Sequence, residues 1–446
     1  MRQQLQGDWP FAARRSPVFY GWVIWLFSTI GFLMSVPGQT MGMGVFTDSF
    51  IEAFGLSRTE LSFAYFWGTL GSALLLTRAG RAYDRYGARI MIVLASVSLA
   101  LVLLALAHLD RIALAVAAGL GIGNGWVTML LIFLCYFGVR FAGQGVLTSA
   151  SRNVLLVWFE SRRGMVSGVR GVFVSLGFSI APLVLAFMIN AWGWRNALII
   201  MAAVVGGLFA LLAVVFIRDA PEVCGLQADG IRTSATDTAA AQTGADQTLA
   251  QARLTPEYWA YCLGLAIHSL FGTAVVFHVV DVFAEAGRSS TEAFGYFLPS
   301  AIVSTSVNLL ASWLADRRAL KPFLLIMLGA FAVGAFGLLN LQQPWGYWLL
   351  VLGFGSGGGL WGVLSNLAFI RHHGRLHLGE ISGFNTAITV FASAIGPVTF
   401  SLSRDWTGSY HGAMWACLAV IMVLLAAATR LPRRPDTAAT NAVADR

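Results

Sequence analysis

The chain has 446 residues, of which 57% are hydrophobic and 11% charged. A soluble domain carries roughly 25% charged residues, so this composition excludes a water-surrounded core and makes lipid the solvent. The formal charge of +8 does not mark a nucleic-acid face, because all but one of the 29 basic residues are arginines in short stretches between apolar runs.

A spanning helix needs about 20 mostly apolar residues. Twelve such runs occur: 17–40, 60–79, 89–108, 127–157, 164–190, 194–217, 258–284, 292–315, 322–341, 345–370, 379–403 and 410–430. They are too long and too uniformly apolar for barrel strands, and only helices and closed barrels satisfy their backbone in lipid. The expected fold class is an all-α polytopic membrane protein with twelve transmembrane helices in two six-helix halves.

The first run follows Arg14 and Arg15 and lacks a small-residue cleavage site, so it reads as a retained helix rather than a signal peptide. Pro37-Gly38, Gln39 and Thr40 interrupt its far end. Between the second and third runs lies Gly80-Arg81-Ala82-Tyr83-Asp84-Arg85-Tyr86-Gly87-Ala88-Arg89. Residues 109–126 are apolar but too short and too glycine-rich to span, and read as an interfacial or re-entrant hairpin.

The fourth run carries Arg140 roughly mid-span. An arginine at that depth costs on the order of 3 kcal/mol, so it faces a cavity or a partner. Its planar fork suits a carboxylate or phosphate; backbone carbonyls or an acid on another helix are the alternative partners. Arg152 and Arg170 lie nearer a membrane face and snorkel, with Glu160 as a partner. Residues 218–255 form the longest connection. Its middle is rich in Thr, Ala, Gln and Asp, which predicts a disordered linker. The domains expected are 1–217, the linker 218–255, 256–432 and a cytoplasmic tail 433–446.

In the seventh run His278 and Asp281 are three apart and share a helix face. A histidine beside a carboxylate suits proton coupling; a solvated pair at the outer interface is the alternative. His268 reads as packing. The eighth run ends in Ser312-Trp313-Leu314-Ala315-Asp316-Arg317-Arg318-Ala319-Leu320-Lys321. This repeats the first loop 232 positions on: small residue, Asp at +4, Arg at +5, small at +7 and cation at +9. Gly355-Ser356-Gly357-Gly358-Gly359 lacks the Lys-Ser/Thr of a phosphate loop and lies in an apolar run. Asn385 and Thr386 interrupt the eleventh run. Interrupted helices carry substrate sites in transporters, which makes Gln39 and Asn385 candidates; close packing through small residues is the alternative.

Arginine placement sets orientation. With the N-terminus inside, 21 basic residues are cytoplasmic, 5 lie in outer loops, and Arg140, Arg152 and Arg170 lie in spans. Both charged loops then face the cytoplasm, which makes the halves parallel repeats. The four cysteines, Cys135, Cys224, Cys262 and Cys417, form no CxxC and read as reduced structural thiols. No metal site, cofactor or catalytic set is expected, and with no P-loop the chain has no visible means of hydrolysing ATP.

Twelve helices, the 6+6 split and the doubled Asp-Arg loop resemble the major facilitator superfamily. The first loop resembles its G-x-x-x-D-[RK]-x-G-x-[RK] between helices 2 and 3, and the second is a weaker copy between helices 8 and 9. Tyr20-Gly21-Trp22, Arg140 with Gln144-Gly145, Trp158-Phe159-Glu160-Ser161-Arg162-Arg163-Gly164, Pro221-Glu222 with Gly225 and Asp229-Gly230, and Gly396-Pro397 with Asp405 and Thr407-Gly408-Ser409-Tyr410 resemble the bacterial monocarboxylate-transporter-like branch. Where that branch places Asp and Arg in helix 8, this chain has Ser304 and Asn308. Helix 5 partly resembles an antiporter motif through Gly168, Gly177, Ala181 and Pro182.

The resemblance implies a secondary active transporter working by alternating access as a monomer in the cytoplasmic (inner) membrane, both termini inside. It implies gating by Gly80, Asp84, Arg85, Gly87, Arg89, Asp316 and Arg317, with Asp84 outranking Asp316. The reading is a small organic anion such as a monocarboxylate, held partly by Arg140, with proton coupling at His278 and Asp281. A proton-coupled drug or metabolite exporter is the alternative. A membrane enzyme or sensor would need a catalytic cluster or a folded soluble domain, and the sequence offers neither.

Overall fold

The computed structural model describes residues 9–230 and 246–432, and their regular structure is helical. The long helices, numbered in chain order, are α1 (Gly21–Leu33), α2 (Arg58–Tyr86), α3 (Ala88–Ala107), α4 (Asn124–Trp158), α5 (Arg163–Trp192), α6 (Trp194–Phe216), α7 (Pro256–Phe277), α8 (Phe297–Ala315), α9 (Lys321–Leu339), α10 (Pro344–His373), α11 (Leu378–Thr407) and α12 (His411–Thr429). Eleven segments among the described residues are long and apolar enough to cross a membrane. The remaining helix, α2, has 29 residues and spans about 44 Å, but carries charge at both ends. It starts in a capping box, in which Ser57 accepts from the Glu60 amide and Glu60 from the Ser57 amide.

Two expected spans are not single helices. α1 stops at Leu33; a 3-10 turn follows at Val36–Gly38, then short helices at Thr40–Gly44 and Thr47–Phe54. Pro37 has no amide to donate, and Gln39 is extended at φ −86°, ψ 155°. The seventh run breaks at His278, after which Val279–Glu285 forms its own helix. Within α4, residues Arg140–Leu147 are wound as a π-helix, a wide turn common at functional sites.

The expected hairpin at 109–126 is a helix, Leu109–Leu120, folded back on α4. Its twelve residues reach about 18 Å, too short for a hydrocarbon core of about 30 Å. Gly121, at φ +66°, makes the reversal, and Ala113 and Ala117 pack on Val127 and Leu131.

The chain divides into two compact units. The first comprises residues 1–160, 173–232 and 382–387; the second comprises 161–172, 233–381 and 388–446. The sequence-based boundary ran through the linker and missed two exchanges. The start of α5 groups with the second unit because Gly164 and Gly168 lie directly on Ser312 of α8. Residues 382–387 group with the first unit, where Asn153 donates to Ser382 Oγ at 2.9 Å and Gly383 lies against the Leu76 carbonyl.

In the first unit α3 packs against α4 and α6, with Ala95, Leu99 and Leu103 buried. In the second, α10 packs against α8 and α9. The glycine run at 355–359 is that packing face. A Cβ on Gly359 would lie 2.5 Å from the Ser304 carbonyl, and one on Gly353 would lie 2.3 Å from the Gly334 amide.

The linker is folded at both described ends. Arg218 and Cys224 are buried, and Asp246 accepts from the Arg375 and Leu376 amides at 2.8 and 3.0 Å. Leu249 and Ala252 are also buried, although polar composition predicted disorder there. One leucine and one alanine suffice because Thr248 and Gln251 cap the short helix. The rest of that expectation falls on 231–245, and the expected tail on 433–446, both outside the described residues. All four cysteines are buried, and none is joined in a disulfide.

Gly353→Leu should overpack the α9–α10 contact, at a cost of typically 1–3 kcal/mol. The expected outcome is a lower unfolding temperature of the detergent-purified protein, measured against a substitution at the open Gly329.

Candidate functional site

The breaks in α1 and α4 meet within the first unit. A Cβ on Gly38 would lie 2.5 Å from the Val139 carbonyl and 2.6 Å from the Gln144 amide, so backbone touches backbone. The break releases the Gly38 carbonyl from helical bonding, and Arg140 Nη1 donates to it at 3.1 Å. The same nitrogen reaches Thr40 Oγ1 at 3.4 Å. Tyr65 lays its ring 5.1 Å from the guanidinium and donates its hydroxyl to Thr40 at 2.7 Å. Gln39 Nε2 donates to Ser35 Oγ at 3.1 Å and to Thr148 Oγ1 at 3.3 Å, and Thr148 donates to the Gly143 carbonyl at 3.2 Å.

Arg140 is 4% exposed, and its Nε has no hydrogen-bond partner. Among the described contacts, no carboxylate reaches it. A buried cation with only neutral partners keeps much of its desolvation cost uncompensated. It is a buried cation in a cluster otherwise made of hydroxyl, amide and carbonyl groups.

Two of the candidates, Gln39 and Arg140, thus lie in one cluster, which Thr40 joins. Tyr65 and Thr148 were missed, since nothing marks one tyrosine or threonine among the many in apolar runs. Asn385 is buried near Ser382, opposite Asn153. That is thirteen residues along α4 from Arg140, or roughly 20 Å, so Asn385 does not share its site.

The charged loops have definite partners. Gly87 joins α2 to α3 at φ +87°, and a Cβ there would lie 2.6 Å from the Asp219 carboxylate. The Arg89 amide donates to Asp219 at 2.8 Å, and its buried guanidinium donates to the Ile217 carbonyl at 2.6 Å, at the end of α6. In the second copy Lys321 Nζ donates to the Thr429 carbonyl at 2.9 Å and to that of Leu431, at the end of α12. The +9 cation therefore closes the sixth and twelfth helices alike. Asp316 accepts from the Gly164 and Met165 amides at 2.6 and 2.8 Å, on the N-terminal turn of α5, and Arg371 approaches it at 3.4 Å. Asp84 and Gly80 sit partly buried in the last turns of α2, Arg85 is exposed over Tyr86, and Arg317 stacks on Trp313.

His278 and Asp281 are not the facing pair expected. The helix ends between α7 and Val279, and His278 Nε2 instead pairs with the Pro397 carbonyl at 3.1 Å and Ser401 Oγ at 3.3 Å. Asp281 is exposed. Arg170 likewise donates to Asn366 at 2.9 Å, rather than pairing with Glu160. His268 stacks on Phe331, 4.7 Å between centroids. Asn308, at a position where the monocarboxylate branch is charged, donates to the Gly359 carbonyl at 3.0 Å.

A latch in the second unit was also missed. Glu285 accepts from Arg404 Nη1 at 3.1 Å and the Tyr410 amide at 3.2 Å, and meets Ser409 Oγ and, at 3.1 Å, His411 Nδ1. This gives the Thr407-Gly408-Ser409-Tyr410 motif a structural purpose: it folds a turn around one carboxylate. Burial would raise the Glu285 pKa, but bonds from Ser409, Tyr410 and His411 outweigh it and hold the carboxyl below its ordinary 4.5.

A model of the major facilitator superfamily matches residues 28–397. The chain belongs to the major facilitator superfamily. It is 23% identical over 395 residues to a hexuronate transporter of Bacillus subtilis, covering 82% of this chain and 86% of that one. It is 25% identical over 309 residues to a 2-nitroimidazole transporter of Escherichia coli, covering 66% and 71%. Among solved structures it superposes on a proton:xylose symporter with a TM-score of 0.66 at 16% identity, covering 91% and 94%. This major facilitator protein is a multi-pass membrane transporter of small solutes, not an enzyme.

A carboxyl held below its unfolded pKa stabilises above that value and ceases to as pH falls through the folded pKa. The unfolding temperature of the wild type should exceed that of Glu285→Gln at pH 6. The margin should shrink below about pH 4.5; a margin that is flat down to pH 3 would count against the latch.

Proposed function

We propose that this major facilitator protein moves a small organic anion, such as a monocarboxylate, by alternating access. The carrying observation is Arg140, a buried guanidinium with neutral partners and an unused Nε at a helix break. The hexuronate relative supports the same chemistry, because a hexuronate bears a carboxylate. With no P-loop in the sequence, energy comes from gradients, where 100 mV supplies roughly 2.3 kcal/mol per charge moved. Protons are the proposed coupling ion, with His278 at the α7 break as their carrier. The arginine asymmetry supports both termini on the cytoplasmic side of the cytoplasmic membrane; the monomer rests on the family resemblance.

One observation favours a second reading. The 2-nitroimidazole relative is named for a small aromatic solute, which suits a proton-coupled exporter of drug-like metabolites. A thermal-shift screen of organic acids, sugars, amino acids and drugs separates the two. Organic acids alone should stabilise the wild type, and Arg140→Gln should lose at least 10-fold in affinity for them, with Arg140→Lys in between. Unchanged affinity in Arg140→Gln ends the anchoring role.

Gating is tested in proteoliposomes. Asp84→Asn should slow uptake more than Asp316→Asn, because the first loop keeps both glycines where the second has Ser312 and Ala319. Equal losses overturn that ranking.

A further inference from the structure

We infer that the second unit carries a site for a small zwitterion, an amino acid with an apolar side chain, beside the charged loop 312–321. This goes beyond the anion reading above and does not rest on it. A cavity of about 500 Å³ lies there, between the first turns of α7 and α9 and the ends of α10 and α12. Small-molecule sites measure roughly 300–1,000 Å³. Glu257 of α7 and Lys321 of α9 both line it, and none of the described ion pairs joins them.

Two opposite charges share one cavity without pairing because Lys321 is tied elsewhere. Its Nζ donates to the Thr429 and Leu431 carbonyls at the end of α12, which uses two of its three hydrogens. The third is left for a ligand. Lys321 is also the first residue of α9, so the positive end of that helix dipole adds to the attraction for a carboxylate. Glu257 is half-buried in the first turn of α7, and no described hydrogen bond or ion pair reaches its carboxylate. A carboxylate drawn partly out of water without a cation keeps part of its desolvation cost, which a ligand ammonium offsets. The histidines on the wall are engaged: His373 Nδ1 pairs with Gln247 Oε1 at 2.8 Å, and His372 lies 4.9 Å from the Tyr261 ring. No group of three or more metal-ligating side chains occurs among the described residues, so they do not make this a metal site. Pro322, Leu325 and Leu431 complete the wall, which suits an aliphatic side chain. An anion alone would be repelled by Glu257, and a cation alone by Lys321. A ligand that carries both charges and an apolar body satisfies all three surfaces.

The probe is L-leucine, measured by calorimetry on the full detergent-purified chain. Two analogues separate its charges: 4-methylpentanoate lacks the ammonium, and isoamylamine lacks the carboxylate. Leucine should bind the wild type and Arg140→Gln equally, because the cavity lies in the other unit. The analogues are titrated into Arg140→Gln, so that a monocarboxylate held at the proposed anchor is not counted. Each should bind about 10-fold more weakly than leucine, as expected for loss of one charge-assisted contact. Glu257→Gln should weaken leucine by about the same factor and leave 4-methylpentanoate no weaker, a selectivity that misfolding does not produce. Leu325→Trp, which fills the apolar wall, should abolish leucine binding. The site is overturned by leucine that fails to bind the wild type, or that binds Glu257→Gln as tightly. It is equally overturned by an analogue that matches leucine, or by leucine binding that is lost in Arg140→Gln. Failure of the anion reading, seen as organic acids binding Arg140→Gln undiminished in the thermal-shift screen, leaves this site standing as long as leucine binding requires Glu257.

Discussion

A carbonyl released inside a lipid layer has no water to turn to, and the chain must supply a donor. That constraint organises the first unit. Pro37 and the extended Gln39 end α1 early, the Gly38 carbonyl is set free, and Arg140 answers it from the wide turn of α4. The approach requires glycine on both sides, since a Cβ on Gly38 or Gly143 would meet the other backbone below 3 Å. The proposed anchor and the backbone repair are then the same side chain. That identity explains how a lone buried cation persists in the middle of a membrane protein.

The same accounting governs the helix ends. Arg89 and Lys321 occupy equivalent places in the two charged loops, and each donates to the final carbonyls of the last helix of its half. Asp316 does the converse, taking the free amides at the start of α5, where the helix dipole favours negative charge. The loops are therefore assemblies of terminal caps as well as markers of topology. Their repeated spacing follows from the need to close the same helices twice.

Much of this was legible in the sequence because lipid leaves few options. Run lengths gave the spans, the repeated loop gave the two halves, and Arg140 stood out as a charge in an apolar stretch. Gln39 was marked by the interruption at Pro37-Gly38, but its meeting with the Arg140 cluster through Thr148 was not. What stayed hidden depended on the third dimension. Tyr65 and Thr148 carry no mark in sequence, and Glu285 meets His411 across 126 positions. His278 and Asp281 misled because helical spacing holds only while the helix does. Asn385 misled because a polar pair in an apolar run need not break the helix: α11 runs unbroken through Asn385 and Thr386.

The exchange of short stretches between the units bears on how the protein is made. The stretch 161–172 is encoded with the first half but packs in the second unit, and 382–387 does the reverse. Two polypeptides cut within the linker would therefore each carry a stretch whose packing partners are encoded in the other, and would have to be co-expressed to yield the carrier.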